Sequence, residues 1–500
     1  MNKQKMYNKG ERPSGQLIRK LNTFGLSLMK NLFVIILILL LNLPLLAQEK
    51  NIHRLALEGI DLATSLKYKE AAAKFDQLVA LQPKNPMGYF MRSAVYFWMF
   101  SENPKNTTVG DKFRDLSYQA AEIAEARLEE NENDLNAMFY LGGAYGSLGR
   151  YYAMTGSYIN AYWYGKKGVD YLEDIVEIDS TYYDAYLGLG IYHYLADVLP
   201  RFVKVLSFIF GLDGNKEQGI RELHLAATRG VLTKNEATIF LGAIYTYRER
   251  EYDKAVALFT RFLKKYPGNP GILLNLGRCY ERMGECDLAV NAYSEILRNK
   301  DSESRLPRGS VYYQLADVLY QMNQFEPALK NYIQVTISDT SATGQRRWIF
   351  PRALLKAGLC YEIIGNLTMA DSLYRRVDET DNKHAYNEAR ERLANRLLPI
   401  DIDLIRAKNL MECNDFAGAG RILEKIRNTY GASKNSAVLS KMPEIIYRQA
   451  EILHEQKQDR QAIIKLNELL SIKDKASWLE GRTRLLMGQC YHALGEYEKA

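Results

Sequence analysis

The apolar residues of this chain recur at the spacing of short amphipathic helices, most clearly within residues 270–303. Two sets of positions, each separated by three or four residues, share one face of a helix. The first set is Leu273, Leu276 and Tyr280, and the second is Ala289, Tyr293 and Ile296. Gly284 lies between the two sets. The pattern predicts a hairpin of two short helices, which cross at the small residues Gly277 and Ala289.

This order of small and large residues returns with a period near 34. The copies lie at 52–85, 236–269, 270–303, 309–340, 351–382, 400–432 and 443–473. The order is a large residue, Leu-Gly, Tyr, Gly, Ala, an aromatic residue and Pro. This pattern resembles the tetratricopeptide repeat. The resemblance implies an all-α fold, an α-solenoid in which helix–turn–helix units stack as a right-handed superhelix.

The segment from 86 to 235 departs from this period. First helices are still readable around Leu141 and Leu189, but insertions separate them, at 101–112, 146–164 and 195–212. Insertions in repeat stacks tend to lie on one face, which is often the binding face. The predicted organisation is therefore an N-terminal repeat region with helical insertions, regular repeats, and C-terminal repeats that stop within a repeat. The corresponding ranges are 48–235, 236–398 and 399–500.

Residues 1–47 form a separate unit with the pattern of a secretory signal. They carry seven basic residues and one acidic residue, so +6 of the formal net charge of +7 lies there. An apolar run at 32–46 follows, too short for a spanning helix, and Ala47 is a suitable cleavage position. We expect cleavage after Ala47, a true start possibly at Met29, and export to the periplasm or cell envelope of a Gram-negative bacterium. An uncleaved anchor is the alternative and would be the chain's one membrane contact.

The nearly neutral body lacks the basic face that nucleic-acid binding requires. Five cysteines, an odd and scattered set, show neither a disulfide framework nor a zinc spacing. Cys279 and Cys286 would lie about 10 Å apart on one helix, which is beyond disulfide reach. Free, mostly buried thiols are therefore expected for all five.

No catalytic constellation stands out from the repeats. The histidines are scattered singly with no carboxylate at ligand spacing, and the glycine clusters sit inside helix patterns rather than after a strand. We expect no enzymatic activity, no cofactor and no metal site.

A binding groove is instead what the resemblance implies, because first-helix residues line the inside of the superhelix. The candidate residues are Phe90, Phe97, Trp98, Phe139, Tyr194, Tyr247, Arg278, Tyr313 and Tyr320. The front of this groove is aromatic, so protein or peptide partners with apolar or aromatic segments are expected. Alternatively, the inserted helices, above all 202–210, fill the groove and make these aromatic residues part of the core.

Three functional hypotheses follow. The first is an exported scaffold or adaptor that holds partner proteins in the envelope. In the second, the repeats are the sensory region of a signalling protein whose membrane-spanning and catalytic parts lie beyond Ala500, since the sequence stops within a second helix. The third is a carrier for a small ligand or glycan, which would use the Tyr-rich surface between 151 and 194.

Overall fold

A computed structural model describes residues 48–198, 214–299, 308–337, 346–472 and 476–500, except the side chains of 346–348. Within these ranges the fold is all-α: helices follow one another as hairpins, and no strand occurs. The predicted α-solenoid is confirmed. No helix in the described ranges combines the length and the apolar character needed to cross a membrane.

The described residues of the N-terminal part form four helix pairs. Their helices are α1 (48–64), α2 (Tyr68–Leu81), α3 (Pro86–Glu102), α4 (Thr107–Glu130), α5 (Leu135–Met154), α6 (Tyr158–Ile178), α7 (Tyr186–Asp197) and α8 (Lys216–Arg229). The next four hairpins are more regular. They comprise α9 (Lys234–Ile244) with α10 (Tyr252–Lys265), α11 (Pro270–Arg282) with α12 (Cys286–Arg298), α13 (Arg308–Gln321) with α14 (Phe325–Ile337), and α15 (Arg346–Ile364) with α16 (Leu367–Arg375).

A single helix interrupts the alternation before the C-terminal hairpins. The remaining helices are α17 (Lys383–Ala394), α18 (Pro399–Glu412), α19 (Phe416–Tyr430), the short α20 (Ser436–Leu439), α21 (Met442–Glu455), α22 (Asp459–Ser471) and α23 (Ser477–Ala493). The copies at 400–432 and 443–473 thus form the helix pairs that their sequence predicts.

Helix starts follow from local sequence. Asn85 and Asn269 each precede a proline, and each side chain accepts a hydrogen bond from a backbone N–H of the first turn. An asparagine cap satisfies one of the free N–H groups, and proline at the first helical position needs no partner for its nitrogen. The Asn-Pro pairs therefore fix where α3 and α11 begin.

In three of the four regular hairpins, a glycine of the first helix faces an aromatic ring of the second helix; the hairpin of α13 and α14 has Ala316 at this position. A Cβ atom on Gly277 would lie 2.4 Å from Cε1 of Tyr293, and one on Gly358 would lie 2.4 Å from Cε1 of Tyr374. Gly59 with Phe75 and Gly242 with Phe259 repeat this arrangement. At the predicted crossing, the small size of Gly277 makes room for the Tyr293 ring, which is fully buried.

The turn between the two helices of a hairpin uses a left-handed residue. Gly284 has φ of +74° and Gly365 has φ of +97°, whereas Asn323 and Asn414 adopt +58° without being glycine. In the hairpin of α9 and α10, Gly242 and Ala255 are 13 residues apart, one more than Gly277 and Ala289 in the next hairpin. A single π-helical turn at Tyr245–Glu249 accommodates that residue.

The first two insertions are extensions of helices rather than added elements. α5 has 20 residues and α6 has 21, whereas α11 and α12 have 13 each. The Tyr-rich segment 146–164 is therefore the projecting tip of one long hairpin. Most of the third insertion, including 202–210, lies outside the described residues.

The chain also folds back on itself at two places. At the first, Asp61 of α1 accepts hydrogen bonds from Lys265 Nζ (2.9 Å) and the Tyr266 hydroxyl (2.5 Å), and Asn269 donates to the Thr64 carbonyl (2.8 Å). These pairs are more than 200 residues apart in sequence. The first hairpin thus contacts the fifth and sixth.

The second closure contains a disulfide between Cys286 and Cys413, whose Cα atoms lie 5.5 Å apart across 127 residues of sequence. The expectation of five free thiols is wrong for this pair, because the return of α18 brings together two cysteines that no local spacing connects. Cys279, Cys360 and Cys490 are free and buried, as expected.

Candidate binding groove

The predicted aromatic front of the groove is largely internal. Phe97 and Phe139 are buried, and the Phe97 ring packs 5.3 Å from the ring of Phe113. Phe90 and Trp98 are half-buried and pack against the core of the first hairpins. Truncating Phe97 would therefore remove core packing, so its loss cannot report on binding alone.

A loop of the chain itself covers this front. Residues 230–233, which we call the front loop, lie between α8 and α9. One oxygen of Asp184 accepts backbone hydrogen bonds from Val231, Leu232 and Thr233, each 2.9 Å long. Leu232 packs against two apolar clusters that Phe90 also contacts, one that contains Phe75 and one that contains Phe139. The inserted helices at 202–210 lie outside the described residues, so the alternative that they fill the groove stays a prediction. Among the described residues, it is the front loop that packs against part of the aromatic front.

Arg150 joins the front repeats to the fifth hairpin. Its guanidinium lies 4.5 Å from the Phe97 ring centre and 5.5 Å from that of Phe240, and it forms an ion pair with Glu236 at 2.9 Å. Stacking on two aromatic faces is a role that arginine fills better than lysine. Nothing in the local sequence of Arg150 indicates these contacts, because its partners come from other repeats.

Tyr194 and Tyr313 are also buried rather than presented. The Tyr194 hydroxyl donates to Glu249 at 2.8 Å, and Lys216 holds the other oxygen of that carboxylate at 2.8 Å. Burial raises the pKa of the Tyr194 hydroxyl, and Glu249 adds to the effect. Both tyrosines therefore serve the contacts between neighbouring helices.

Tyr247 and Arg278 remain accessible on the inner surface. Tyr247 is 49% exposed, its hydroxyl donates to Asn275 at 2.5 Å, and Arg278 donates to the same hydroxyl at 2.5 Å. Beside them, burial raises the pKa of the Glu281 carboxyl, although a hydrogen bond from Tyr293 opposes this. This part of the inner surface is polar.

An open cleft of about 510 Å³ lies further along, between α13, α15, α17 and α18. Its lining combines apolar, acidic and basic side chains: Tyr320, Lys356, Leu359, His384, Asn387, Glu388, Glu391, Arg392, Leu397 and Ile405. Tyr320 is the predicted groove residue that belongs to it. The Lys356 ammonium lies 4.5 Å from the Tyr320 ring centre, and burial raises the pKa of the Tyr320 hydroxyl.

The cleft exists because residues 397–414, which we call the return segment, cross the inner surface. Glu362, which is buried, directs the start of this segment, since it accepts hydrogen bonds from the Tyr374 hydroxyl (2.8 Å) and the Leu397 backbone N–H (2.7 Å). Pro399 then starts α18. A buried carboxylate with two donors is well satisfied, so Glu362 fixes the path of the chain.

Asparagine side chains fix the far end of the return segment. Asn409 donates to the Tyr320 carbonyl at 2.8 Å, and Asn414 donates to the Met283 carbonyl at 2.8 Å. A Cβ atom on Gly284 would lie 2.5 Å from the Asn414 amide nitrogen, so glycine is required at this approach. The Cys286–Cys413 disulfide closes the contact. The cleft is consequently framed by rigid connections on both sides.

These observations define the class of the protein: an α-solenoid of helix hairpins with an inner groove. Residues 247–306 match the family model of the tetratricopeptide repeat, which coincides with the most regular hairpins. The resemblance to the tetratricopeptide repeat that the sequence indicates is thus confirmed for this part of the chain.

Solved structures with similar helix arrangements come from diverse organisms. PilF of Pseudomonas aeruginosa is 18% identical, covers 50% of this chain and 96% of its own, and has a TM-score of 0.34. A tetratricopeptide-repeat protein of Parabacteroides merdae is 16% identical over 57% of this chain and 97% of its own, with a TM-score of 0.29. Yeast Tom70 is 13% identical, covers 90% of this chain and 97% of its own, and has a TM-score of 0.29. These scores are low, so no argument about this chain rests on them.

Two histidines have acidic partners that the sequence did not indicate. His193 Nδ1 lies 2.6 Å from Glu222, and His454 Nδ1 lies 2.5 Å from Asp459. Neither pair lies at a ligand spacing within one helix, which is the pattern that the sequence was searched for. The five-residue spacing of His454 and Asp459 crosses a helix–helix turn, so a search for ligands on one helix face misses it.

Proposed function

We propose that this protein is an exported scaffold of the bacterial cell envelope that holds segments of partner proteins in the cleft. The observation that carries this is the open cleft on the inner surface of the stack, with a lining that combines an aromatic ring, aliphatic side chains and charges of both signs. Tetratricopeptide repeats provide rigid extended surfaces of this kind.

The lining favours a particular partner chemistry. Lys356 and Arg392 provide positive charge, Glu388 and Glu391 provide negative charge, and Tyr320 with Leu359 provides apolar surface. We therefore propose a partner segment with one aromatic or aliphatic side chain between charged residues. The purely apolar segment expected from the aromatic front would suit this cleft less well.

Site-specific photo-crosslinking tests the location of the partner. Asn387 is exposed and lines the cleft, so p-benzoylphenylalanine at this position should capture a partner in intact cells. Ile464 on α22 is 69% exposed and lies outside the cleft, which makes it the matched control position. The adduct should contain one recurrent protein at position 387 and not at position 464.

A charge reversal in the cleft makes the test specific. Lys356→Glu should reduce the Asn387 adduct at least about tenfold, because a charge in contact with a like charge costs several kcal/mol. Circular dichroism of the variant checks that the helices are intact. Equal adducts at 387 and 464, or an adduct unchanged by Lys356→Glu, would exclude the cleft as the binding site.

Two observations support export. The basic segment and the apolar run within residues 1–47 match a secretory signal, and disulfides such as Cys286–Cys413 persist in oxidising compartments. Cell fractionation and N-terminal sequencing test this part of the proposal. A periplasmic or envelope protein that begins at Gln48 is expected, whereas a cytoplasmic chain that retains residues 1–47 would contradict it.

A second candidate function, glycan binding, is favoured by the tip of the long hairpin. Tyr158 is 75% exposed and Trp163 is 60% exposed on the first turns of α6, beside the exposed Asn160. Exposed aromatic faces next to an amide suit stacking on sugar rings. Titration with envelope glycans should quench tryptophan fluorescence, and Trp163→Ala should abolish the change; a signal that survives this substitution would rule the tip out.

A further inference from the structure

Three potential metal ligands from three helices converge near the end of the described chain. His454 is in the last turn of α21, Asp459 is the first residue of α22, and Cys490 is in the last turn of α23. Their ligand atoms all lie within 4.8 Å of one another. Sequence spacing gives no hint of this cluster, because it forms where α23 packs beside the hairpin of α21 and α22.

The distances suit a small tetrahedral ion with little rearrangement. Cys490 Sγ lies 3.6 Å from His454 Nδ1, and tetrahedral zinc with ordinary Zn–S and Zn–N bonds separates such atoms by about 3.6 Å. His454 Nδ1 lies 2.5 Å from Asp459 Oδ1, against about 3.4 Å in a zinc site. A shift of about 0.9 Å by the carboxylate would convert this hydrogen bond into two metal bonds.

Burial is graded across the cluster. Cys490 is fully buried and Asp459 is 6% exposed, whereas the His454 side chain is 20% exposed. The histidine therefore marks the side from which an ion and a water molecule could approach. Sulfur, nitrogen and oxygen ligands in this combination favour zinc over the hard ions magnesium and calcium.

The other two free cysteines provide an internal comparison. Cys279 has the Thr246 hydroxyl as its hydrogen-bond partner, and Cys360 is enclosed with a thiol pKa raised by burial to about 12. Among the described residues, neither belongs to a group of three possible ligands. Cys490 thus has surroundings that the structure does not give to the other free thiols.

We propose that His454, Asp459 and Cys490 bind one zinc ion, with a fourth position open to water or to a group from a partner. The ion would link α21, α22 and α23, and so join the hairpin of α21 and α22 to the last described helix. This site is separate from the cleft, so its existence does not depend on the proposed function.

Zinc titration of the full chain, purified without a polyhistidine tag and stripped with a chelator, tests the proposal. Isothermal calorimetry with zinc chloride should give one equivalent, and zinc should raise the thermal midpoint. Cys490→Ser and His454→Gln should each weaken binding at least about tenfold, since even the loss of outer partners of a metal ligand costs this much. Cys360→Ser is the matched control and should bind like the original chain.

Cobalt titration identifies the thiolate directly. Cobalt(II) should produce a thiolate-to-metal charge-transfer band in the original chain and in Cys360→Ser, but not in Cys490→Ser. Circular dichroism separates loss of the site from loss of the fold, and Asp459→Asn provides a second variant that keeps the volume of the side chain. A folded chain that binds no zinc, or a cobalt band that survives Cys490→Ser, would overturn the proposal.

Discussion

The Cys286–Cys413 disulfide gives the sharpest quantitative prediction. The double substitution Cys286→Ala with Cys413→Ala opens the covalent link but leaves the hydrogen bonds from Asn409 and Asn414 in place. The linked positions are 127 residues apart, for which the chain-entropy estimate of a disulfide is about 5 kcal/mol at 25 °C. Since removal of a natural disulfide typically costs about 2–5 kcal/mol, we expect a loss of this size in the free energy of unfolding of this region.

Urea denaturation followed by far-ultraviolet circular dichroism measures the effect. A loss of this size should lower the midpoint of the transition by about 1 M or more. Cys360→Ala is the matched control, since it removes a buried sulfur without opening a link and should cost about 1 kcal/mol.

Thiol counting tests the premise itself. In denaturant without reductant, an alkylating reagent should modify three cysteines, namely Cys279, Cys360 and Cys490, and after reduction all five. Five labelled thiols before reduction, or a double variant with the urea midpoint of the original chain, would refute the reasoning.

Three further predictions concern packing and charge. Gly277→Val should cost at least about 2 kcal/mol in the urea assay, because the valine side chain would overlap the Tyr293 ring. Gly165 also lies within a helix but has open space around it, so Gly165→Val should be nearly neutral. Equal effects of the two substitutions would contradict the glycine–aromatic argument. Arg150→Ala should destabilise the chain by about 1–3 kcal/mol and Arg150→Lys by less, since lysine keeps the ion pair with Glu236 but not the flat stacking surface. A lysine variant as unstable as the alanine variant would show that the ion pair contributes nothing. Burial raises the pKa of the Asp317 carboxyl above its ordinary value, so the folded state binds the proton more tightly, and this group's contribution to stability falls as pH rises from the ordinary to the raised pKa. The Asp317→Asn variant should therefore gain stability relative to the original chain as pH increases through that range. A difference in urea midpoint that stays constant across several pH values would contradict this.

The local sequence pattern was sufficient to predict the helix hairpins, but not the contacts between hairpins that are distant in sequence. The spacing of Leu273, Tyr280 and Tyr293 reports short-range packing, because each of these residues meets neighbours within one repeat or the next. Cys413, Leu232 and Arg150 meet residues from distant repeats, and their own neighbourhoods contain no signal of it. The same holds for the candidate groove. First-helix position predicted Tyr247 and Arg278 as accessible, yet it could not reveal that the front loop covers Phe90 or that the return segment builds a cleft beside Tyr320.

The third hypothesis and the aromatic front illustrate a related limit. The sequence does not distinguish exposed from buried aromatic residues. Tyr158 and Trp163 are exposed on the long hairpin of α5 and α6, whereas Phe97 is enclosed by contacts with Phe113 of α4 and with Arg150. The sequence shows directly that this region is rich in aromatic residues. Their environment depends on helix extensions that a fixed period of 34 residues cannot describe.

The two places where the chain folds back have a consequence for how it unfolds. A simple repeat stack frays from its ends, because each unit has contacts only with its neighbours. Here Asp61 and Thr64 are tied to residues near 265–269, and Cys413 is tied to Cys286, so neither segment can open without breaking contacts in the middle. Amide hydrogens of α1 and α18 should therefore exchange with solvent at rates close to those of α11, in one shared opening event, and formation of these distant contacts should make folding slower than for an open stack of equal length.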